Sequence, residues 1–313
     1  MKKIIRKIIT LIITLLCISF LTFSAFAIIP GDAAANKLGK EATAERIEQL
    51  REEMGLNDPL PVRYGRWLSG AVQGDFGESY RYDGRTVQSL IARRLPITVL
   101  LAGISLVIII IVSVPLGILS ARFSGRFVDI FSSQLTQVIM AVPSFFLGIL
   151  MTYVFGLVLH WYQPGKFVSP DENLWASLHY LFFPALAIAL PKIAMTMRFL
   201  RNSVLTEMRK DYVRTATSKG MDENRILYHH VLKNALIPVV TFVAMVVAEI
   251  LAGSLVVEQV FSVPGIGILL INSISSRDYP VVQALVIYIT SVVVILNFLV
   301  DVIYEALDPR VRV

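Results

Sequence analysis

Few residues in this chain are placed to do chemistry. No stretch matches G-x-x-x-x-G-K-[ST], H-E-x-x-H or G-x-S-x-G. The chain therefore has no phosphate-cradling loop of its own, no zinc-protease pair and no nucleophile elbow. Its histidines are His160, His179, His229 and His230. The first two sit at the edges of apolar runs, where a polar ring at a membrane interface needs no metal to explain it. His229 and His230 are adjacent, and adjacent helical positions do not share a face, so a solvated or docking role fits better than ligation. Cys17 is the one cysteine, which excludes a disulfide framework and cysteine-based zinc sites. No small residue follows it, which argues against lipid attachment there. Glu249 is the acid that lies well inside an apolar run. Ionisable groups at such depth face a bundle interior or a wet cavity. Glu249 is thus a candidate to line or gate a substrate path, or to hydrogen-bond a neighbouring helix. No catalytic, cofactor-binding or metal-ligating residue is assigned.

The other informative stretch is DYVRTATSKGMDENRILYHHVLKNALIP, Asp211 to Pro238, a charged interval between apolar runs. It reads as two short helices broken at Gly220. Val213 to Lys219 make two turns, and Gly220 supplies the left-handed residue that ends them. Asp222 is a good N-cap for a second helix running to about Ala235. The basic residues of the stretch and its clustered aromatic and aliphatic residues suit docking to another protein.

Those residues need elements to hold them, and composition says which. The chain has 313 residues, 55% of them hydrophobic and only 17% charged, with the charges bunched. A soluble protein of this size does not need so much apolar residue. The net charge of +6 fits the Lys and Arg of cytoplasmic loops better than a nucleic-acid partner. A bilayer core takes about 20 apolar residues as a helix, and six stretches qualify. Ile8 to Ile29 is the first, preceded by Lys2, Lys3, Arg6 and Lys7. Ala25-Phe26-Ala27 resembles a signal-peptidase site, but the apolar run is long for a signal peptide, so an uncleaved span is expected. Further spans are expected near 97–121, 137–159, 176–197, 237–257 and 281–302. Pro96 suits a first turn, and Pro115 would kink its helix. The third apolar stretch is too long for a straight crossing, and Gln134, Gln137 and Pro143 suggest that its start lies outside lipid or lines a polar cavity. Lys192, Asp301 and Glu305 lie close enough to span ends to snorkel.

Residues 29–94 form a long polar loop with ten basic and ten acidic residues. Ala44, Ile47, Leu50 and Met54 share one face of a short amphipathic helix that Gly55 would end. The rest is rich in Pro and Gly, with Tyr64, Trp67 and Phe76 as packing anchors. A second loop, with Pro264, Gly265, Gly267, Arg277, Asp278 and Pro280, precedes the last span. Six crossings put both termini on one side. With that side inside, the internal segments hold sixteen basic residues, and the two short outer loops hold only Lys166 and Arg277. The expected topology is N-in and C-in, with the 211–238 stretch in the cytoplasm.

These motifs together resemble the type I ABC importer permeases of the dipeptide, oligopeptide and nickel branch, in particular the B-type member of the permease pair. Tyr212-x-Arg214-x-Ala216-x-x-Lys219-Gly220 and Asn234-Ala235-Leu236-Ile237-Pro238 resemble that branch's "EAA" loop, with Arg214-Thr215-Ala216 in place of the name-giving triad. Pro30-Gly31-Asp32, Gly55-Leu56-Asn57-Asp58-Pro59-Leu60 and Gly74-Asp75-Phe76-Gly77-Glu78-Ser79 add to the likeness. So do Glu258, Phe261, Pro264-Gly265-x-Gly267, Arg277-Asp278-Tyr279-Pro280 and Asp308-Pro309-Arg310.

The resemblance implies an all-α integral membrane protein with six transmembrane helices and a cytoplasmic coupling loop. In that loop Tyr212, Arg214, Ala216, Lys219, Gly220, Met221 and Asp222 would dock an ATPase, Ala216 keeping one helix face small, while residues 55–85 would help to dock a binding protein. Residues 1–94 would hold the first helix and an extracytoplasmic loop, and 95–313 the permease domain. It implies a second, homologous permease subunit, two ABC ATPase subunits that bind ATP and Mg, and an extracytoplasmic solute-binding protein. Peptide is the first substrate to expect, with nickel, metal chelates, glutathione and opines as alternatives. A stand-alone secondary transporter or channel is the competing class; it would favour several intramembrane charges or repeated broken helices.

Overall fold

The computed structural model describes residues 2–28, 33–38, 43–82 and 84–307. Pro30-Gly31-Asp32 and Asp308-Pro309-Arg310 lie outside these, as do the side chains of Asp301 and Glu305. Among the described residues the chain is helical, with one isolated bridge, Glu78 to Thr86, and no strand. In chain order the helices are α1 (Lys2–Ile28), α2 (Ala33–Leu38), α3 (Ala44–Glu53), α4 (Leu60–Val72), α5 (Val87–Arg122), α6 (Phe127–Ala141) and α7 (Ser144–Met151). A π-helical turn, Thr152–Val158, extends α7. Then come α8 (Leu174–Met208), α9 (Asp211–Ser218), α10 (Glu223–Ile226), a second π-helical turn (Leu227–Val231), α11 (Leu232–Val260), α12 (Ile266–Ser275) and α13 (Tyr279–Leu307).

Among the described residues, five helical stretches are long and apolar enough to cross a bilayer: Ile5–Ile28, Val87–Arg122, Leu174–Met208, Glu223–Leu251 and Tyr279–Val300. A bent pair, Phe127–Ala141 with Ser144–Val158, makes a sixth if counted as one span. The third span predicted near 137–159 is therefore not one rod. It breaks at Val142–Pro143 with a bend of 95°. The cause is local: a residue before proline is driven out of the helical region, and Val142 sits at φ −96°, ψ 122°. The second span also differs from expectation. Its helix starts at Val87, so Pro96 lies well inside it rather than in its first turn.

The chain divides into two compact units. The first comprises residues 1–98 and 264–295. Here α3 forms as its apolar spacing requires, with Thr43 Oγ1 accepting from Arg46 N and Gly55 at φ +62° just past its end. The stretch after Gly55, read as loop, contains α4. Its two prolines lie at the N-cap and in the first turn, where a missing N–H costs nothing. Tyr64 and Trp67 of α4 pack on Phe23 of α1, Trp67 also contacts Phe76, and the Tyr64 hydroxyl lies 2.7 Å from Ser19 Oγ. The anchoring role expected of these aromatics is borne out. The loop expected before the last span folds in part into α12, whose first turn is fixed by Ile266 N donating to Thr98 Oγ1 at 2.9 Å.

The second unit comprises residues 99–263 and 296–313. Its centre is α8, with Leu181, Ala185, Ala187, Ala189, Ala194 and Leu200 essentially inaccessible. Small residues let helices approach closely, which is how apolar helices associate where lipid competes for apolar contact. On the facing part of α5, a Cβ on Gly117 would come within 3.1 Å of Met197 O, tighter than ordinary contact, so glycine lets the two helices approach closely. Phe199 of α8 stacks on Phe242 of α11 with centroids 4.5 Å apart.

Asp129, in the first turn of α6, ties this unit together. Its carboxylate is 4% exposed. It accepts from Arg201 Nε at 2.5 Å and Nη2 at 2.7 Å, from Ser120 Oγ at 2.7 Å and from Gly125 N at 2.8 Å. The bidentate pair thus joins α6 to α8, and the other two bonds hold the turn after α5. Removing one member of such a pair strands the other, at a cost of about 3 kcal/mol. Asp129→Ala and Arg201→Ala are each expected to lower the melting temperature of the detergent-solubilised protein by several degrees. The double variant should fall by clearly less than the sum. Strict additivity in the melting curves would show that the two side chains do not act as a pair.

Candidate functional site

The site is assembled from the 211–238 stretch. Lys210, at φ −75° and ψ 155°, starts α9, and Lys219 ends it. The exit is a two-bond cap: Gly220 N donates to Thr217 O at 2.9 Å and Met221 N to Ala216 O at 3.3 Å. Gly220 is at φ +74° with open space where a Cβ would sit, so the requirement for glycine is one of backbone, not of room. Asp222 then caps α10, its carboxylate accepting from Asn224 N at 3.0 Å. The second helix does not stop near Ala235, as expected. It runs through the π-helical turn into α11, past Pro238, to Val260.

Burial sorts the residues of α9 into two faces. Val213 and Ala216 point into an apolar cluster with Leu200 and Val204 of α8, Ile226, Leu227, Val231, and Ala235 and Val239 of α11. Ala216 is therefore part of the base of this helical knob. Asp211, Arg214, Thr215, Ser218, Lys219 and Gly220 are exposed. Arg214 and Asp211 pair at 3.5 Å but are 77% and 95% exposed, so that pair holds little. Tyr212 and Met221 lie between the faces. The Tyr212 hydroxyl donates to Glu207 Oε2 at 2.9 Å, and Asn234 Nδ2 reaches it at 3.4 Å. Burial raises the Tyr212 phenol, the Asn234 amide offsets part of this, and Glu207 adds to it, so the group stays a donor. Beside it is an open groove of about 520 Å³ lined by Tyr212, Met221, Arg225, His230, Lys233 and Asn234. Ile226, Val231 and Glu207 were not singled out from sequence, and Ala235 was read only as a helix end and part of a motif. The four-residue spacing from Leu227 to Val231 to Ala235 carried the signal.

Glu249 of α11 is half exposed in this chain and accepts a short contact from Lys192 Nζ of α8. Lys192 lies midway along the 35-residue α8, is mostly covered, and is held by Glu249. The two charges are thus paired across two helices.

Distant motifs meet in the first unit. Asp278, fully buried, accepts from Ser79 Oγ and, at 3.0 Å, from Tyr80 N. Ser79 Oγ in turn accepts from Arg81 N at 3.2 Å and Tyr82 N at 2.9 Å. The Gly74–Ser79 and Arg277–Pro280 stretches therefore form one structure. In the second unit, Glu258 and Phe261 are buried at the end of α11, and the Tyr180 hydroxyl donates to Phe261 O. His160 Nδ1 lies 3.1 Å from Val158 O, and the His179 ring meets Phe183 edge-on. No metal-holding cluster occurs among the described residues.

The comparisons agree with this architecture. Residues 113–313 match the family model "binding-protein-dependent transport system inner membrane component". Residues 1–102 match the corresponding N-terminal model. The oligopeptide transport system permease protein AppB of Bacillus subtilis is 36% identical over 311 residues, covering 99% of this chain and 98% of the relative. The probable peptide ABC transporter permease protein y4tP of Sinorhizobium fredii is 34% identical over 309 residues, again 99% and 98% of the two chains. With its apolar helices, its bent third span and matches across nearly its whole length, the chain belongs to the inner-membrane permease components of binding-protein-dependent transport systems.

Proposed function

We propose that this chain forms half of the translocation pathway of an ATP-driven importer of di- or oligopeptides. A second, homologous permease subunit completes the pathway. Two ABC ATPase subunits bind ATP and Mg on the cytoplasmic side, and an extracytoplasmic binding protein delivers substrate. The naming of the full-length relatives as peptide permeases supports peptide over nickel, metal chelates, glutathione or opines. The excess of basic residues on the 198–233 side supports N-in, C-in topology.

The observation that carries this reading is the knob. A loop meant to transmit motion must be stiff, and here Val213 and Ala216 root α9 in the α8–α11 core. A loop meant to be grasped must also present polar groups outward, and Arg214, Lys219 and Asp222 do so. The basic rim of the neighbouring groove, Arg225 and Lys233, suits an acidic side chain of the ATPase. Coupling then rests on the knob making different contacts with the open and closed ATPases. The docking surface in this reading is Tyr212, Arg214, Lys219, Gly220, Met221 and Asp222, with Ala216 beneath it. In this reading Glu249 lines or gates the pathway, a role supported by its carboxylate remaining half exposed while paired with Lys192. That same pair is the one feature a stand-alone transporter would share, and such a protein would transport without an ATPase.

Reversing the outward charges tests the knob. Arg214→Glu with Lys219→Glu should leave the melting temperature within about 2 °C, because exposed substitutions cost little. ATPase co-purification and substrate-stimulated ATP hydrolysis should fall about tenfold or more. Undiminished uptake by this variant, or uptake by the chain with no ATPase present, would remove the assignment. By contrast, Ala216→Glu should reduce the yield of folded protein, since it puts a carboxylate into an apolar core.

A charge swap tests Glu249. Glu249→Gln should cut transport with the protein still inserted. Lys192→Glu with Glu249→Lys restores the ion pair with its polarity reversed. Peptide uptake assays should find the swap folded but still impaired; full recovery would mean that the pair is only a structural tie.

A further inference from the structure

The first unit holds a cavity of about 320 Å³ that none of the foregoing uses. Phe23 and Phe26, on the last turns of α1, and Trp67 and Phe76 give it an apolar wall. Arg63 of α4 and Tyr80 and Tyr279 give it a polar end. Among the described residues, these polar groups are not all satisfied. Arg63, half-buried, makes no ion pair or side-chain hydrogen bond among the described residues. Tyr279 keeps a buried hydroxyl without a hydrogen-bond partner. Of the neighbouring charges, Arg66 is paired with Asp58 Oδ2 at 2.8 Å, and the Asp75 carboxylate, which accepts from Gly77 N at 2.9 Å, is exposed to solvent. Burial, with the Asp278 carboxylate second, pushes the Tyr80 phenol up to about 12, so it remains a donor at any physiological pH.

A buried hydroxyl and an unpaired guanidinium are costly to leave unmatched, and together they ask for an anion. The apolar wall asks that the anion carry a hydrocarbon body. Position indicates where such a molecule comes from. The cavity lies where the apolar α1 ends and the apolar α13 begins, the depth at which a span meets the headgroup layer. Beside it, Leu21 and Ile28 of α1 are exposed, as lipid-facing residues are. We propose that this cavity binds one anionic phospholipid. Its phosphate sits against Arg63 and the tyrosine hydroxyls, and an acyl chain lies along Phe23 and Phe26. The lipid would tie α4 to the ends of the first and last spans. This inference does not depend on the ATPase-docking reading.

The test uses the full-length chain, delipidated in detergent and titrated with phosphatidylglycerol, phosphatidylcholine or glycerol phosphate under native mass spectrometry. One phosphatidylglycerol should be retained in preference to phosphatidylcholine, and glycerol phosphate alone should not be. Arg63→Ala should weaken that retention about tenfold, the effect of losing a charged hydrogen bond. Tyr279→Phe, which keeps the ring and so the packing, should weaken it by a smaller factor. A photoactivatable phosphatidylglycerol should crosslink to peptides containing Phe23–Ala27 or Tyr279–Gln283. The proposal is overturned if the two lipids are retained equally, or if glycerol phosphate binds as well as the lipid. It is also overturned if both variants keep wild-type retention, including the case in which Arg63→Ala instead loses a binding protein.

Discussion

Val213 and Ala216 reach into the core formed by Leu200, Val204, Ile226, Leu227, Val231 and Ala235, and that apolar contact is what makes the 211–238 stretch part of a rigid body. An eight-residue helix has no stability of its own in water. α9 exists because its inner face is buried and because the bonds from Gly220 and Met221 satisfy its last carbonyls. The same contact explains why α10 continues without a stop into α11. The helix that supplies the floor of the knob is also a membrane span, so any displacement of the knob moves that span with it. This is the mechanical property a coupling element needs, and it arises from two small side chains and not from the charged residues around them.

Charge is used sparingly in this protein, and three carboxylates act as fasteners, Asp129 and Asp278 buried and Glu249 half exposed. Asp129 joins α6 to α8 through Arg201, Asp278 holds the Ser79–Tyr82 turn, and Glu249 joins α11 to α8 through Lys192. In an apolar setting a lone charge is expensive, so each fastener is strongly directional: only the correct geometry avoids the penalty. Dispersion and small-residue packing bring α5, α8 and α11 together, but such contacts tolerate sliding. The polar ties fix the register. A permease must move between states without losing its fold, and discrete polar contacts between smoothly packed helices allow that.

The two units divide the work. In the first, aromatic packing on α1 and the Asp278 network build an ordered structure out of a segment rich in proline and glycine. In the second, the central α8 carries both Lys192, paired with Glu249, and Leu200 and Val204 at the base of the knob.

Much of this was legible in the sequence. Apolar runs long enough to span a bilayer, Gly220 and Asp222 as stop and start, the amphipathic face of Ala44 to Leu50, and the Tyr64–Trp67–Phe76 anchors all depend on local chemistry, and local chemistry is written in neighbouring residues. Helix α4 was hidden because its prolines and glycines look like loop residues; only its aromatic face packed on α1 makes it worth forming. The 95° break was half visible in Pro143, since proline constrains Val142, but proline alone does not break α8 at Pro184 or Pro191. Which charges pair was not legible at all. Asp129 with Arg201, Lys192 with Glu249, and Ser79 with Asp278 are separated by 72, 57 and 199 residues. Sequence determined the elements and their ends, because those are set within a turn or two of chain. Tertiary structure decided which face of α9 is base and which is surface, and which charge answers which, because burial and pairing are properties of helices brought side by side.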